Sequence, residues 1–204
     1  MRRGKLDVSC GFIILISVLY YFDTQNLLPW LILAALLHES GHYISIRAAG
    51  GRISGLRLTA VGAVMELENS GSLSYGKEIA ASLAGPAAGI CSAVLASALG
   101  KLLDCGSLYA FSGISLALSL FNLLPLRQLD GGKALCLFIS YLIGPQEAEA
   151  VCVRITYVFG AALCLAGAYI YYRTGRNFTL LTAAVWLLLT ADRENGIVNR
   201  RAAV

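Results

Sequence analysis

Three residues in the stretch "AALLHESGHYISI" (34–46) offer chemistry that their neighbours do not: His38, Glu39 and His42. Residues four apart on a helix stand one turn above each other on one face, so both imidazoles can reach a single metal ion. The glutamate between them can hold a water molecule beside that ion and take its proton. These are the only 2 histidines in the chain. A lone histidine in an apolar segment is usually structural. A pair at this spacing, enclosing a glutamate and flanked by leucines and isoleucines, reads as a functional site.

A catalytic zinc site takes three protein ligands and leaves the fourth position to water. With no third histidine, the remaining ligand has to be a carboxylate or a thiolate. The segment "NLLPLRQLDGG" (122–132) offers Asp130, followed at once by Gly131 and Gly132. Glycines there permit a tight turn or a close backbone approach, and they are expected to help open a path for water. An aspartate before glycine is also a common turn or helix-cap residue, so the pattern alone does not settle its role.

The elements that must position these residues are apolar. The chain has 204 residues, 57% hydrophobic and 14% charged, with a mean hydropathy of +0.70. Soluble domains carry roughly 25% charged residues. The composition therefore predicts an all-α polytopic membrane protein forming one integral-membrane domain over 1–204. Against the about 20 apolar residues that cross a bilayer, apolar stretches fall near 8–22, 27–48, 77–99, 107–125, 152–172 and 178–191, the first and last of them short, which gives about six transmembrane helices. The piece "KALCLFISYLI" (133–143) is too short to span and is expected to continue the fourth. The first stretch lies behind "MRRGK" and runs into "YYFDTQ" rather than a small-residue cleavage site, so it reads as an uncleaved anchor. Cys10, Cys91, Cys105, Cys136, Cys152 and Cys164 form no C-x-x-C pair. They are expected to serve as small apolar side chains.

Charge placement orients the spans. With the N-terminus in the cytoplasm, the inner segments hold Arg2, Arg3, Lys5, Arg47, Arg52, Arg57, Lys77, Arg127, Lys133, Arg154, Arg193, Arg200 and Arg201, and the outer ones hold Lys101, Arg173 and Arg176. That bias predicts cytoplasmic termini. The second span then descends toward the cytoplasm, with His42 about 7 Å above Arg47 along the axis. The fourth descends in the same sense and leads to Asp130, so histidine pair and aspartate are expected at similar depth. The third enters at Lys77 and soon meets "AGPAAG" (84–89), where Gly85, Pro86 and Gly89 allow close helix contact and a local kink.

The H-E-x-x-H pair, the A-G-P segment in the next span and the N-x-x-P-x-x-x-L-D-G-G run after the span that follows together resemble the site-2 protease family of intramembrane zinc metalloproteases. The nearest likeness is to the compact six-span group that includes the stage IV sporulation metalloprotease. The resemblance covers about residues 30–135. It implies His38, His42 and Asp130 as zinc ligands, Glu39 as general base, and Asn122 as a residue that helps place the substrate backbone. Gly89 stands where the family's segment often has Asn. A C-terminal nucleotide-binding domain of the kind the sporulation protease carries is expected to be lacking. The resemblance further implies a bacterial cell membrane, a membrane-protein substrate, regulatory membrane partners and no nucleic acid.

Between the second and third spans, "GGRISGLRLTAVGAVMELEN" (50–69) alternates at Leu56, Leu58 and Ala60, with Gly62 near a turn. This predicts a short membrane-associated β-hairpin. Its edge would suit either of two roles, holding an unwound substrate segment by main-chain hydrogen bonds or simply capping the fold. The expected function is a zinc metalloendopeptidase cutting a membrane-embedded or membrane-adjacent protein near the cytoplasmic face, in regulated intramembrane proteolysis. Another divalent ion could fill the site, since affinity order alone does not select zinc. Two other classes carry similar residues: a divalent-metal transporter, which would spread its ligands over several helices, and an inactive client-binding relative, which would have lost part of the zinc set.

Overall fold

In the computed structural model of the protein, the described residues are 5–59, 62–67, 73–175 and 178–202. Arg2, Arg3, Arg176 and Ala60, used above for orientation and alternation, lie outside them, as do residues 61, 68 and 69 of the expected hairpin. The elements in order are β1 (Lys5–Val8), α1 (Cys10–Phe22), α2 (Leu28–Ala48), β2 (Ile53–Thr59), β3 (Gly62–Leu67), α3 (Tyr75–Leu103), α4 (Gly106–Asn122), α5 (Asp130–Ile143), α6 (Pro145–Thr174) and α7 (Thr179–Ala202). The chain divides into two units, Met1–Asn122 and Leu123–Val204.

In the first unit, α2, α3 and α4 pack on one another. Their common core is Ala34, Ala96 and Phe111, with Trp30, Leu37, Ile114 and Leu118 around it. The Trp30 and Phe111 rings meet at 5.9 Å, tilted by 53°. Small residues let these helices approach closely. A Cβ at Gly41 would strike the Ala84 carbonyl, and one at Gly89 would strike Ser119 Oγ. The hydroxyls inside this layer bond across it or back to their own helix. Ser115 Oγ donates to the Gly89 carbonyl at 3.1 Å and Ser112 Oγ to the Ala93 carbonyl at 2.8 Å. Ser119 Oγ donates to the Ser115 carbonyl at 2.8 Å.

The start of α2 is set by Asp23, whose two carboxylate oxygens accept the Leu27 and Leu28 N–H groups, each at 2.8 Å. These are among the first donors of a helix, which have no partner within it. The same bonds, Leu28 first and Leu27 second, hold the Asp23 carboxyl below its ordinary 3.8.

The expected hairpin is present, with β2 and β3 antiparallel and Thr59 opposite Gly62. The expectation missed a third strand. The N-terminal segment β1 pairs in parallel with the far edge of β2, Lys5 to Val8 against Gly55 to Leu58, and the order is β1-β2-β3. Only four residues form it, too few for a pattern to register in an N-terminus read by its charges.

The second unit corrects two further expectations. Residues 133–143 do not continue the fourth span. A turn separates α4 from α5, which begins at Asp130 itself. The cysteines are not uniformly buried. Cys136 on α5 and Cys152 on α6 face each other as a disulfide pair, while Cys10 and Cys91 are exposed. Helix α6 buries Ala148, Cys152, Thr156, Gly160 and Gly167, a stripe at helical spacing. Helix α7 lies against its later turns, where a Cβ at Gly167 would come within 2.7 Å of the Leu181 backbone nitrogen.

Among the described residues, two helices are long and apolar enough to cross a membrane, α3 and α6. The six expected spans are therefore not all matched by this measure. Helix α2 has 21 residues, but its His-Glu-Ser-Gly-His segment lowers its hydropathy, and α1, α4 and α5 have 13, 17 and 14. Large apolar side chains point outward on both long helices, including Leu102 at 79% and Leu165 at 74% exposure. Outside a bilayer such surface would favour association.

Candidate metal centre

Helix α2 carries His38, Glu39 and His42 at its middle, and α3 fixes the orientation of one of them. His42 Nδ1 lies 2.7 Å from the Ala81 carbonyl oxygen. A carbonyl only accepts, so Nδ1 is the protonated nitrogen and Nε2 carries the lone pair. The ring lies flat against α3 where residue 85 has no side chain. A Cβ on Gly85 would collide with His42 Nε2 and come within 2.6 Å of Cδ2. Helix α3 thus provides the Ala81 carbonyl one turn before the vacant Cβ position at Gly85, and together they hold the imidazole.

His38 is buried, and its Nε2 lies 3.3 Å from His42 Nε2, with the rings 5.0 Å apart and steeply inclined. This spacing tests the metal reading. Two nitrogens each about 2.05 Å from a tetrahedral ion stand about 3.3 Å apart. The pair therefore fits two ligands of one such ion. Glu39, half-buried, is next to His38 in sequence, within the same helical turn.

Asn122 ends α4, and its Nδ2 donates to the Leu118 carbonyl at 2.9 Å. That bond ties its donor to its own helix and leaves Oδ1 uninvolved in it.

In the second unit, Asp130 opens α5, where a carboxylate is favoured by the helix dipole. It is 8% exposed, and Oδ1 lies 3.4 Å from Lys133 Nζ. The Lys133 side chain is 55% exposed, so the pair adds little to stability. The two glycines after it lie close to neighbouring backbone. A Cβ at Gly131 would strike the Leu123 carbonyl, and one at Gly132 the Leu126 carbonyl. The room on their Cβ side is filled by backbone, the close approach that glycine permits.

Helices α2 and α3 pack through glycines around a buried His38 and a half-buried His42, with the Glu39 carboxylate between the two in sequence, an arrangement able to offer ligands to a metal ion. The sequence profile of peptidase family M50 matches residues 104–163, which take in α4, the turn and Asp130. A zinc metalloprotease of Methanocaldococcus jannaschii is 22% identical over 205 residues, covering 95% of this chain and 58% of that protein. Stage IV sporulation protein FB of Bacillus subtilis is 30% identical over 131 residues, 63% of this chain and 46% of that protein. The chain spans about half the length of these curated relatives. The solved structure of a site-2 protease from Methanocaldococcus jannaschii superposes with a TM-score of 0.69 at 22% identity, covering 95% of this chain and 94% of that one, so the two share a fold. Residues 104–163 thus match peptidase family M50, and the chain shares the fold of the site-2 protease structure.

Proposed function

We propose that the protein is an intramembrane zinc metalloendopeptidase, one domain over residues 1–204, that hydrolyses a peptide bond of a membrane-embedded or membrane-adjacent protein near the cytoplasmic face. The observation that carries this reading is the 3.3 Å separation of the two histidine Nε2 atoms, with the His42 tautomer fixed by Ala81. His38 and His42 are two ligands of the ion. Asp130 is the third, by donor chemistry and by its place in the family's L-D-G-G run. A zinc ion held there supplies Lewis acidity, polarising the scissile carbonyl and acidifying water.

The chain's own residues do the rest. Glu39 accepts the proton of the attacking water and passes it to the leaving nitrogen. The Ala81 carbonyl keeps His42 in one tautomer and one orientation. Asn122 helps place the substrate backbone. The outer edge of β3, opposite the β2 edge that β1 covers, suits pairing with an extended substrate segment. The two long apolar helices support an integral membrane protein, and the excess of Arg and Lys assigned to one side supports cytoplasmic termini; six spans and regulated proteolysis in a bacterial cell membrane complete the proposal.

Zinc content tests the ligand set. The purified protein should hold about one zinc per chain. Replacing His38, His42 or Asp130 with Ala should each remove most of it. Full zinc and full cleavage in Asp130→Ala would discard Asp130 as the third ligand. Zinc flux through liposomes containing the wild type, without cleavage, would favour a transporter instead.

A further inference from the structure

Helix α6 fastens the chain on both sides of Asp130 with one of its faces. Glu149, Cys152 and Thr156 follow one another at helical spacing and so point the same way. Thr156 is 2% exposed; its Oγ1 accepts the Arg127 N–H at 3.3 Å and donates to the Cys152 carbonyl at 2.9 Å. Glu149 Oε1 accepts from the Arg127 guanidinium at 3.3 Å. Cys152 is joined to Cys136 on α5 as a disulfide, with the Cα atoms 5.8 Å apart. That distance falls inside the range of about 4.4–6.8 Å that a disulfide spans without backbone movement. Arg127 stands before Asp130 and Cys136 after it, so the carboxylate lies between two fastened points.

The two fastenings differ in kind. The first is made of hydrogen bonds and a partly exposed ion pair, which no change of redox state touches. The second is a covalent bond that exists only while both sulfurs are oxidised. Packing offers little in its place on that stretch of α5, where Phe138, Leu142 and Ile143 are 50%, 61% and 50% exposed. Cys136 is half-buried and Cys152 is 2% exposed, so an incoming thiol meets Cys136. By the orientation proposed above, this end of α5 and α6 lies toward the cytoplasm. Thiol pools there keep permanent disulfides rare, and those that form are transient.

We propose that Cys136 and Cys152 are a reversible thiol–disulfide site that sets how firmly Asp130 is presented to the metal; this rests on the metal-centre reading above. In the reducing direction, the thiolate of a low-molecular-weight thiol attacks Cys136 Sγ. The Cys136–Cys152 bond breaks, and Cys152 Sγ leaves with the electron pair and takes the proton that the attacking thiol gave up. A second thiolate then attacks the small-molecule sulfur of the mixed disulfide and releases Cys136, which is protonated in turn. Two small thiols become one small disulfide, and two electrons enter the protein. The reverse sequence restores the tie. The disulfide form holds zinc more tightly than the dithiol form.

The test uses the full-length protein in detergent, poised with reduced or oxidised glutathione and then separated from it. Alkylation and peptide mass analysis on one aliquot should find Cys136 and Cys152 blocked together in the oxidised sample and both alkylated in the reduced one. Zinc affinity, read by competition with a chromophoric chelator, should be at least about tenfold lower in the reduced protein, the lower end of the cost of a lost support to a metal ligand. Amide exchange over 130–136 in the zinc-free protein should be faster in the reduced form. Cys136→Ser should bind zinc as the reduced wild type does under both conditions. Replacing Cys10, Cys91, Cys105 and Cys164 together with Ser should leave the response intact. A folded protein in which the pair never forms overturns the proposal, as does equal zinc affinity in the two states or a response that persists in Cys136→Ser. The wild-type arms need no substitution, so they decide the matter even where a variant does not fold. Zinc bound in neither state would refute the metal reading, and equal amide exchange in the two states would then remove the tie as well.

Discussion

Gly85 and Gly89 on α3 serve a different purpose from the glycines that follow Asp130. The first two make room for side chains: Gly85 for the His42 imidazole and Gly89 for the Ser119 hydroxyl. Those after Asp130 make room for backbone: Gly131 and Gly132 sit against the Leu123 and Leu126 carbonyls. An imidazole can swing away from an intruding methyl group, whereas a carbonyl held in a turn cannot. The same substitution should therefore damage a ligand in one region and the fold in the other.

The largest effect is expected at Gly132. Gly132→Ala forces a methyl group into the Leu126 carbonyl and should destabilise the protein by about 1–3 kcal/mol or more, losing zinc and cleavage together with folded protein. A melting temperature equal to wild type would break the contrast from this side.

Gly85→Ala should act differently. It displaces His42 from its bond to Ala81, and misoriented ligands cost about 10–100-fold in metal affinity. Zinc titration should show that loss, while the melting temperature of the zinc-free protein stays close to wild type. In the cobalt-substituted protein the visible spectrum should shift, reporting altered ligand geometry. A zinc-free protein as damaged as Gly132→Ala would show that both glycines serve packing alone.

The smallest effect lies at the start of α2, which holds the histidines from outside the site. Asp23 has a carboxyl lowered by the Leu28 and Leu27 N–H groups. A depressed folded value means that its stabilisation is present above the ordinary carboxylate range and fades as the pH falls through the lowered value. Asp23→Asn should melt slightly below wild type at neutral pH, and the difference should close in acid. A difference that widens in acid would contradict the cap.

The readable parts of this chain were those in which chemistry and spacing coincide. His38, Glu39 and His42 announce themselves because polar residues in an apolar helix need a reason. Leu56 and Leu58 gave the hairpin through alternation, and Gly85 gave close packing through its lack of a side chain. Less was readable where tertiary pairing decides. Strand β1 has no pattern of its own and forms because an edge of β2 is there to receive it. The break between α4 and α5 was marked by Pro125, Arg127 and the two glycines, but 133–143 was too short to read as a separate span. The Cys136–Cys152 pair depends on two helices facing each other.

The central claim is that Glu39 moves a proton and does not hold the metal. Glu39→Gln keeps the size and much of the hydrogen bonding of the side chain but cannot take a proton. Zinc content, melting temperature and cleavage measured on one preparation give the most direct test. The account predicts zinc and melting temperature unchanged, with cleavage reduced by at least about 10²–10⁴-fold. Near-normal turnover by Glu39→Gln would contradict it, as would a loss of zinc or of stability large enough to explain the lost activity.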